Sequence, residues 1–190
     1  MNLPNKLTLL RALLVPVFVV FALYPQIPMH YLWALIVFLA ASLTDHYDGK
    51  IARKRNLITN FGKFLDPLAD KILVISALVC LMQLGFANVW CVLIIIAREL
   101  MVTSLRLLAV EANGTVIAAN KWGKVKTASQ MTAVLFILFF QSLRDLLHLT
   151  AGAGTLLLIG NILVWTAALF TVISGAVYMK ENLHFISTTK

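Results

Sequence analysis

Charge is scarce in this sequence: only 13% of its 190 residues are Asp, Glu, Lys or Arg, against about 25% in an ordinary soluble domain. Cysteine is nearly absent. Cys80 and Cys91 sit in separate apolar runs without His-rich surroundings, which excludes a disulfide scaffold and a zinc framework and reads as two small buried hydrophobes. There is no Ser/Pro-rich linker, no low-complexity tract and no convincing internal repeat, so one domain over residues 1–190 is the simplest organisation. The N-terminal segment lacks a small-residue cleavage pattern after LLVPVFVVFALY, which argues for an uncleaved first helix rather than a signal peptide.

Apolar residues fill the space that charge leaves. They make up 61% of the chain, and the mean hydropathy is +0.89. Six runs come near the roughly 20 apolar residues a bilayer-spanning helix requires, at about 8–25, 30–46, 66–85, 88–110, 124–143 and 154–180. The runs are continuous rather than alternating, which selects helices over barrel strands. The expectation is an all-α protein, a polytopic membrane bundle of six transmembrane helices; a soluble bundle with so little charge is the disfavoured alternative.

The basic residues orient the bundle. When six spans are threaded in order, every Lys and Arg falls on one side except Arg98, inside the fourth span, and Arg144. The opposite-side segments PQIPMH and QLGFAN contain no Lys or Arg. The positive-inside rule then places both termini in the cytoplasm, giving a multi-pass protein of the cytoplasmic (inner) membrane. The net charge of +8 is explained by this topology and by anionic lipid headgroups, with no need for nucleic acid as a partner.

Four of the eight acidic residues gather at one edge of this apolar chain: Asp45, Asp48, Asp66 and Asp70. On a helix advancing about 100° per residue, Asp48 lies about −60°, Gly49 about +40° and Ala52 about −20° from Asp45. Two carboxylates therefore share a face with two of the smallest residues, provided the second helix continues that far. Gly62, Asp66 and Asp70 are spaced by four, again one face if helical, although Gly62 also suits a connecting loop. Pro67 directly after Asp66 predicts a helix start capped by Asp66. Four carboxylates so placed cannot all stay ionised unaided. A hard divalent cation, Mg²⁺ or Mn²⁺, removes the conflict with oxygen ligands alone, and two such ions about 4 Å apart clamp a phosphoryl group. The bland alternative pairs the aspartates with the neighbouring Lys50, Arg53, Lys54, Arg55, Lys63 and Lys71. His46 points about 100° away from Asp45 and is not counted as a ligand.

The string DHYDGKIARKRNLITNFGKFLDPLAD resembles the signature of the CDP-alcohol phosphatidyltransferases, D-x2-D-G-x2-A-R-x8-G-x3-D-x3-D. Asp45, Asp48, Gly49, Ala52, Arg53, Gly62, Asp66 and Asp70 match it without departure. NLPNKLTLLR, IIIARELMVTSLR and GKVKTASQM extend the resemblance to most of the chain, and are most similar to bacterial members that make phosphatidylglycerophosphate. The resemblance implies an enzyme that moves a phosphatidyl group from CDP-diacylglycerol to an alcohol and releases CMP. It implies metal binding by Asp45, Asp48, Asp66 and Asp70, with Asp70 also the general base. It places Asn5, Thr8, Gly49, Ala52, Arg53 and Gly62 around CDP-diacylglycerol, and it implies a homodimer. Gly152, Gly154, Gly160 and Gly175 are candidates for close helix packing.

The acceptor is argued from charge. Arg98 and Arg106 project from an otherwise apolar segment, which marks function by default, and their spacing of eight lets one broad face hold both. Lys124 and Lys126 stand at the cytoplasmic start of the fifth span. Together these cations suit the phosphate of glycerol 3-phosphate; Glu99 is placed to pair with a basic group. The blander reading makes the lysines topology anchors and the arginines internal ion pairs. Inositol phosphate, serine and phosphatidylglycerol are the alternative acceptors. Intramembrane prenyltransferases also use paired aspartates and Mg²⁺ but lack the G-x2-A-R element. A divalent-cation transporter would carry its carboxylates near the membrane midplane rather than at the edge.

Overall fold

The computed structural model describes the backbone of residues 3–55, 60–113, 121–149 and 152–187, and the side chains of 9–44, 71–106, 121–149 and 152–181. Six helices account for it: α1 (Leu3–Leu23), α2 (His30–Arg55), α3 (Asn60–Gln83), α4 (Val89–Asn113), α5 (Lys121–Leu146) and α6 (Ala153–Ser187). No strand occurs among the described residues. Each apolar run falls largely within one helix, and some helices continue well beyond their runs. Hydropathy marks where a helix is greasy, whereas backbone hydrogen bonding carries α2 on to Arg55 and α6 on to Ser187.

The largest difference from expectation is at α3. The helix begins at Asn60, so Asp66 and Pro67 lie within it rather than at its start. The turn from Phe61 to Leu65 continues the helix into the apolar run. Gly62 therefore belongs to α3 and not to the connecting loop. Proline is tolerated inside α1 as well, at Pro16.

A tight turn joins α3 to α4, in a segment that carries no Lys or Arg. Gly85 adopts φ +82°, and the Phe86 amide donates to the Leu81 carbonyl at 2.8 Å. This is the left-handed helix stop for which glycine is suited. Asn161 on α6 donates from Nδ2 to the Gly85 carbonyl at 3.2 Å and ties the turn to the bundle.

In the packed bundle α1 lies against α2 and α3, α5 against α6 and α2, and α4 against α6 and α3. The core is a continuous set that includes Phe18, Phe38, Leu78, Leu81, Ile95 and Ile137. Gly160 lets α6 close on this core, since a Cβ there would lie 3.0 Å from Phe86 Cδ1 and 3.3 Å from Ile137. Of the four glycines expected to support close packing, Gly160 and Gly175 thus serve packing within the chain. Gly152 and Gly154 meet nothing within 4 Å. Among the described residues, the segment Ala153–Glu181 of α6 is long and apolar enough to cross a membrane, and Leu9–Leu23, His30–Thr44 and Lys71–Gln83 are shorter apolar segments.

Candidate active site

The polar residues of α4 define the best-described site. Arg98 and Glu99 interrupt the run VLIIIARELMV, and their side chains are nearly out of solvent, at 12% and 10% exposure. Adjacent residues leave a helix about 100° apart, but the long Arg98 side chain folds back, and Nη1 donates to Glu99 Oε1 at 3.2 Å. Lys126, from the second turn of α5, donates its Nζ to the same Oε1. Arg98 Nη2 donates to Ser174 Oγ on α6 at 2.7 Å. The helix approaches this closely because residue 175 is glycine: a Cβ there would stand 3.1 Å from Arg98 Cγ. A further hydroxyl, Thr103 Oγ1, donates to the Glu99 carbonyl at 2.6 Å.

Arg98, Glu99, Thr103 and Lys126 line a cavity of about 150 Å³, together with Lys71 of α3, Arg106 of α4 and Tyr178 of α6. Among the described residues its wall carries Lys71, Arg98, Arg106 and Lys126 together with the carboxylate of Glu99. Among these described residues cationic side chains outnumber carboxylates, in a partly buried pocket. Burying cations costs free energy unless an opposite charge compensates them, so this described part of the wall suits an anion. The Nε atoms of Arg98 and Arg106 are buried without a hydrogen-bond partner. Among the described residues Arg106 makes no ion pair, so the internal pairing considered for both arginines holds only for Arg98. Unsatisfied buried donors in a cationic cavity mark where ligand oxygens belong.

Of the residues singled out for the acceptor phosphate, Arg98, Arg106 and Lys126 come together in this cavity. Lys124 does not: it is exposed, and it is not among the residues that line it. Glu99 pairs with basic groups as its position suggests, with two rather than one. Lys71, Ser174, Gly175 and Tyr178 are not legible as residues of this site. In the sequence Lys71 reads as one more lysine flanking the aspartates, and the other three come from a helix that reads as uniformly apolar. The adjacent Ser174 and Gly175, small residues in a greasy helix, are the one signal that points to them.

The aspartates are placed by backbone alone. Because α2 runs to Arg55, Asp45, Asp48, Gly49, Ala52 and Arg53 all lie on its last turns. Gly62, Asp66 and Asp70 occupy positions four apart on α3, and α2 and α3 are in contact. The side chains of these residues, and those of Asn5 and Thr8 on α1, lie outside the described set. The donor chemistry of the aspartate set is oxygen only, which fits a hard divalent ion. One residue links this edge to the cavity: Lys71, which lines it, directly follows Asp70 in α3.

Comparison with known proteins gives a consistent result. The family model described as CDP-alcohol phosphatidyltransferase matches residues 1–173. A CDP-diacylglycerol–glycerol-3-phosphate 3-phosphatidyltransferase of Bacillus subtilis is 42% identical, over 99% of this chain and 98% of its own length. A protein of the same name from Rickettsia bellii is 36% identical over 94% of both chains. Another from Pseudomonas fluorescens is 39% identical over 87% of this chain and 86% of its own.

Proposed function

Because the chain belongs to the CDP-alcohol phosphatidyltransferase family, we propose the full reaction that its site supports: transfer of a phosphatidyl group from CDP-diacylglycerol to glycerol 3-phosphate. The products are phosphatidylglycerophosphate and CMP, an early step toward phosphatidylglycerol. The observation that carries the acceptor is the cavity of about 150 Å³ whose described wall brings together Lys71, Arg98, Arg106 and Lys126 with Glu99, Lys71 being the residue next to Asp70. A phosphomonoester dianion is the ligand such a wall attracts, and a small acceptor held there brings its free hydroxyl toward the aspartate edge.

The chemistry follows from that placement. Arg106, with Arg98, Lys126 and Lys71 behind it, grips the acceptor phosphate and orients the molecule. Asp70 takes the proton of the attacking hydroxyl. A bond forms from that oxygen to the phosphorus bearing diacylglycerol, the bond from this phosphorus to the CMP oxygen breaks, and the electron pair leaves with CMP. Asp45, Asp48, Asp66 and Asp70 would hold Mg²⁺ or Mn²⁺, two ions by the family resemblance, whose charge would neutralise the pyrophosphate and the departing CMP. Asn5, Thr8, Gly49, Ala52, Arg53 and Gly62 are proposed to border the CDP-diacylglycerol site. Arg11, on the same helix as Asn5 and Thr8, is only 1% exposed.

A membrane setting is supported by what the bundle exposes. Leu13, Trp90, Leu158 and Leu169 are each more than half exposed, and just 33% of the most apolar window of α6 is buried. A soluble core helix would be mostly covered; here lipid tails are the natural cover. The basic residues cluster at the aspartate edge, so the active site is proposed to face the cytoplasm, with both termini on that side. A homodimer is proposed from the resemblance.

Radiolabelled glycerol 3-phosphate should enter an organic-extractable product when the purified protein is given CDP-diacylglycerol and Mg²⁺. A chelator should stop incorporation, and Mg²⁺ or Mn²⁺ in excess should restore it. Undiminished turnover in chelator would rule out the metal requirement.

A further inference from the structure

Glu99 lines the cationic cavity between Arg98 and Lys126, and its geometry is that of an organiser rather than a ligand for an anion. One oxygen, Oε1, accepts from both Arg98 Nη1 and Lys126 Nζ. Those two cations come from different helices, α4 and α5, and would repel each other at this separation without a carboxylate between them. The far side of Arg98 is held by Ser174 on α6, at 2.7 Å. Both ends of the guanidinium are therefore fixed before any ligand arrives. Glu99 is 8%, Lys126 5% and Ser174 0% exposed, so water does little of this holding.

We infer that Glu99 and Ser174 are positioning residues that fix Arg98 and Lys126 in the wall of the phosphate pocket, and so set its affinity for the acceptor. The inference rests on the acceptor reading proposed above. It divides the cations by role. Arg106, which has no ion pair among the described residues, meets the ligand directly. Arg98 and Lys126 are pre-set by Glu99, so binding need not order them, and preorganisation of this kind shows up as affinity. Removing a negative charge from an anion pocket would by simple electrostatics strengthen binding. Here the opposite is expected, because the carboxylate keeps two of the cations in place.

The test is steady-state kinetics on the purified full-length protein, with glycerol 3-phosphate varied against CDP-diacylglycerol. Glu99→Gln should raise the acceptor KM about tenfold, the scale of one charge-assisted hydrogen bond, while kcat and the CDP-diacylglycerol KM stay within about twofold. Glu99→Asp, which keeps the charge but is one methylene shorter, should recover part of the loss. Ser174→Ala should raise the same KM by a smaller factor, and it probes the idea even if Glu99→Gln folds poorly. Because Glu99 acts through Lys126, the double variant Glu99→Gln/Lys126→Gln should be no worse than the poorer single variant, rather than the product of the two. An acceptor KM unchanged or lowered in Glu99→Gln, or a proportional loss of kcat with both KM values intact, overturns the inference. A wild-type protein that turns over CDP-diacylglycerol with another alcohol but not with glycerol 3-phosphate overturns the acceptor reading itself, and this inference with it.

Discussion

Asp70→Asn should reduce transfer by about 10²–10⁴-fold, the range lost when a positioned general base is removed, and CDP-diacylglycerol should still bind. The attacking hydroxyl of a polyol phosphate is a poor nucleophile until its proton has somewhere to go. Asp70 is proposed for this role from the family resemblance, and Lys71, the following residue in α3, forms part of the cavity wall. Asparagine keeps the size of the side chain and removes its basicity. Asp45→Asn should behave differently: on the last turns of α2 it is proposed to act only as a metal ligand, so donor binding and turnover should fall together. Single-turnover kinetics alongside CDP-diacylglycerol binding separate the two variants. Near-wild-type turnover in Asp70→Asn would take it out of the base role.

Arg106→Ala should raise the KM for glycerol 3-phosphate strongly and leave that for CDP-diacylglycerol nearly unchanged. A charge-assisted hydrogen bond in a partly buried pocket is worth about 1.5–3 kcal/mol, or roughly ten- to a hundredfold in binding. Arg106 is the cleaner of the two arginines to remove. Its Nε is buried without a partner, and no ion pair among the described residues depends on it. Arg98→Ala would also release Glu99 and Ser174 and loosen the packing of α4 on α6. Arg106→Lys should recover only part of the affinity, because lysine lacks the planar fork that matches a phosphate. If Arg106 served only stability, its variant would show poor yield with an unchanged acceptor KM.

Much of this can be read along the chain. Six apolar runs give six helices because each run contains enough residues to satisfy its own backbone. Arg98 and Arg106 announce themselves as charges in a greasy helix, where a charge is costly unless it has a use. The helical spacing of the aspartates is legible in the sequence, and the backbone places them on α2 and α3. What stays hidden lies across helices. Ser174 is 76 positions from Arg98, and no periodicity of either helix reports that they meet. Gly175 gives no sign that its missing side chain makes room for Arg98. Lys124 and Lys126 look equivalent in sequence. Two residues apart is about 200° of helix, so one turns into the cavity while the other stays exposed. Pro67 misleads because a proline near a polar-to-apolar change usually opens a helix; here the polar turn before it is already helical.

Everything proposed for the acceptor depends on this cationic cavity selecting a phosphorylated alcohol for a phosphatidyl group delivered at the aspartate edge. The direct measurement is CMP release from CDP-diacylglycerol by the purified protein, with Mg²⁺, across glycerol 3-phosphate, inositol phosphate, serine and phosphatidylglycerol in parallel. Rapid release is expected with glycerol 3-phosphate, together with a lipid product carrying a phosphomonoester, and little with serine or phosphatidylglycerol. Release that is fastest with serine or phosphatidylglycerol, or that is indifferent to glycerol 3-phosphate, would refute that selection.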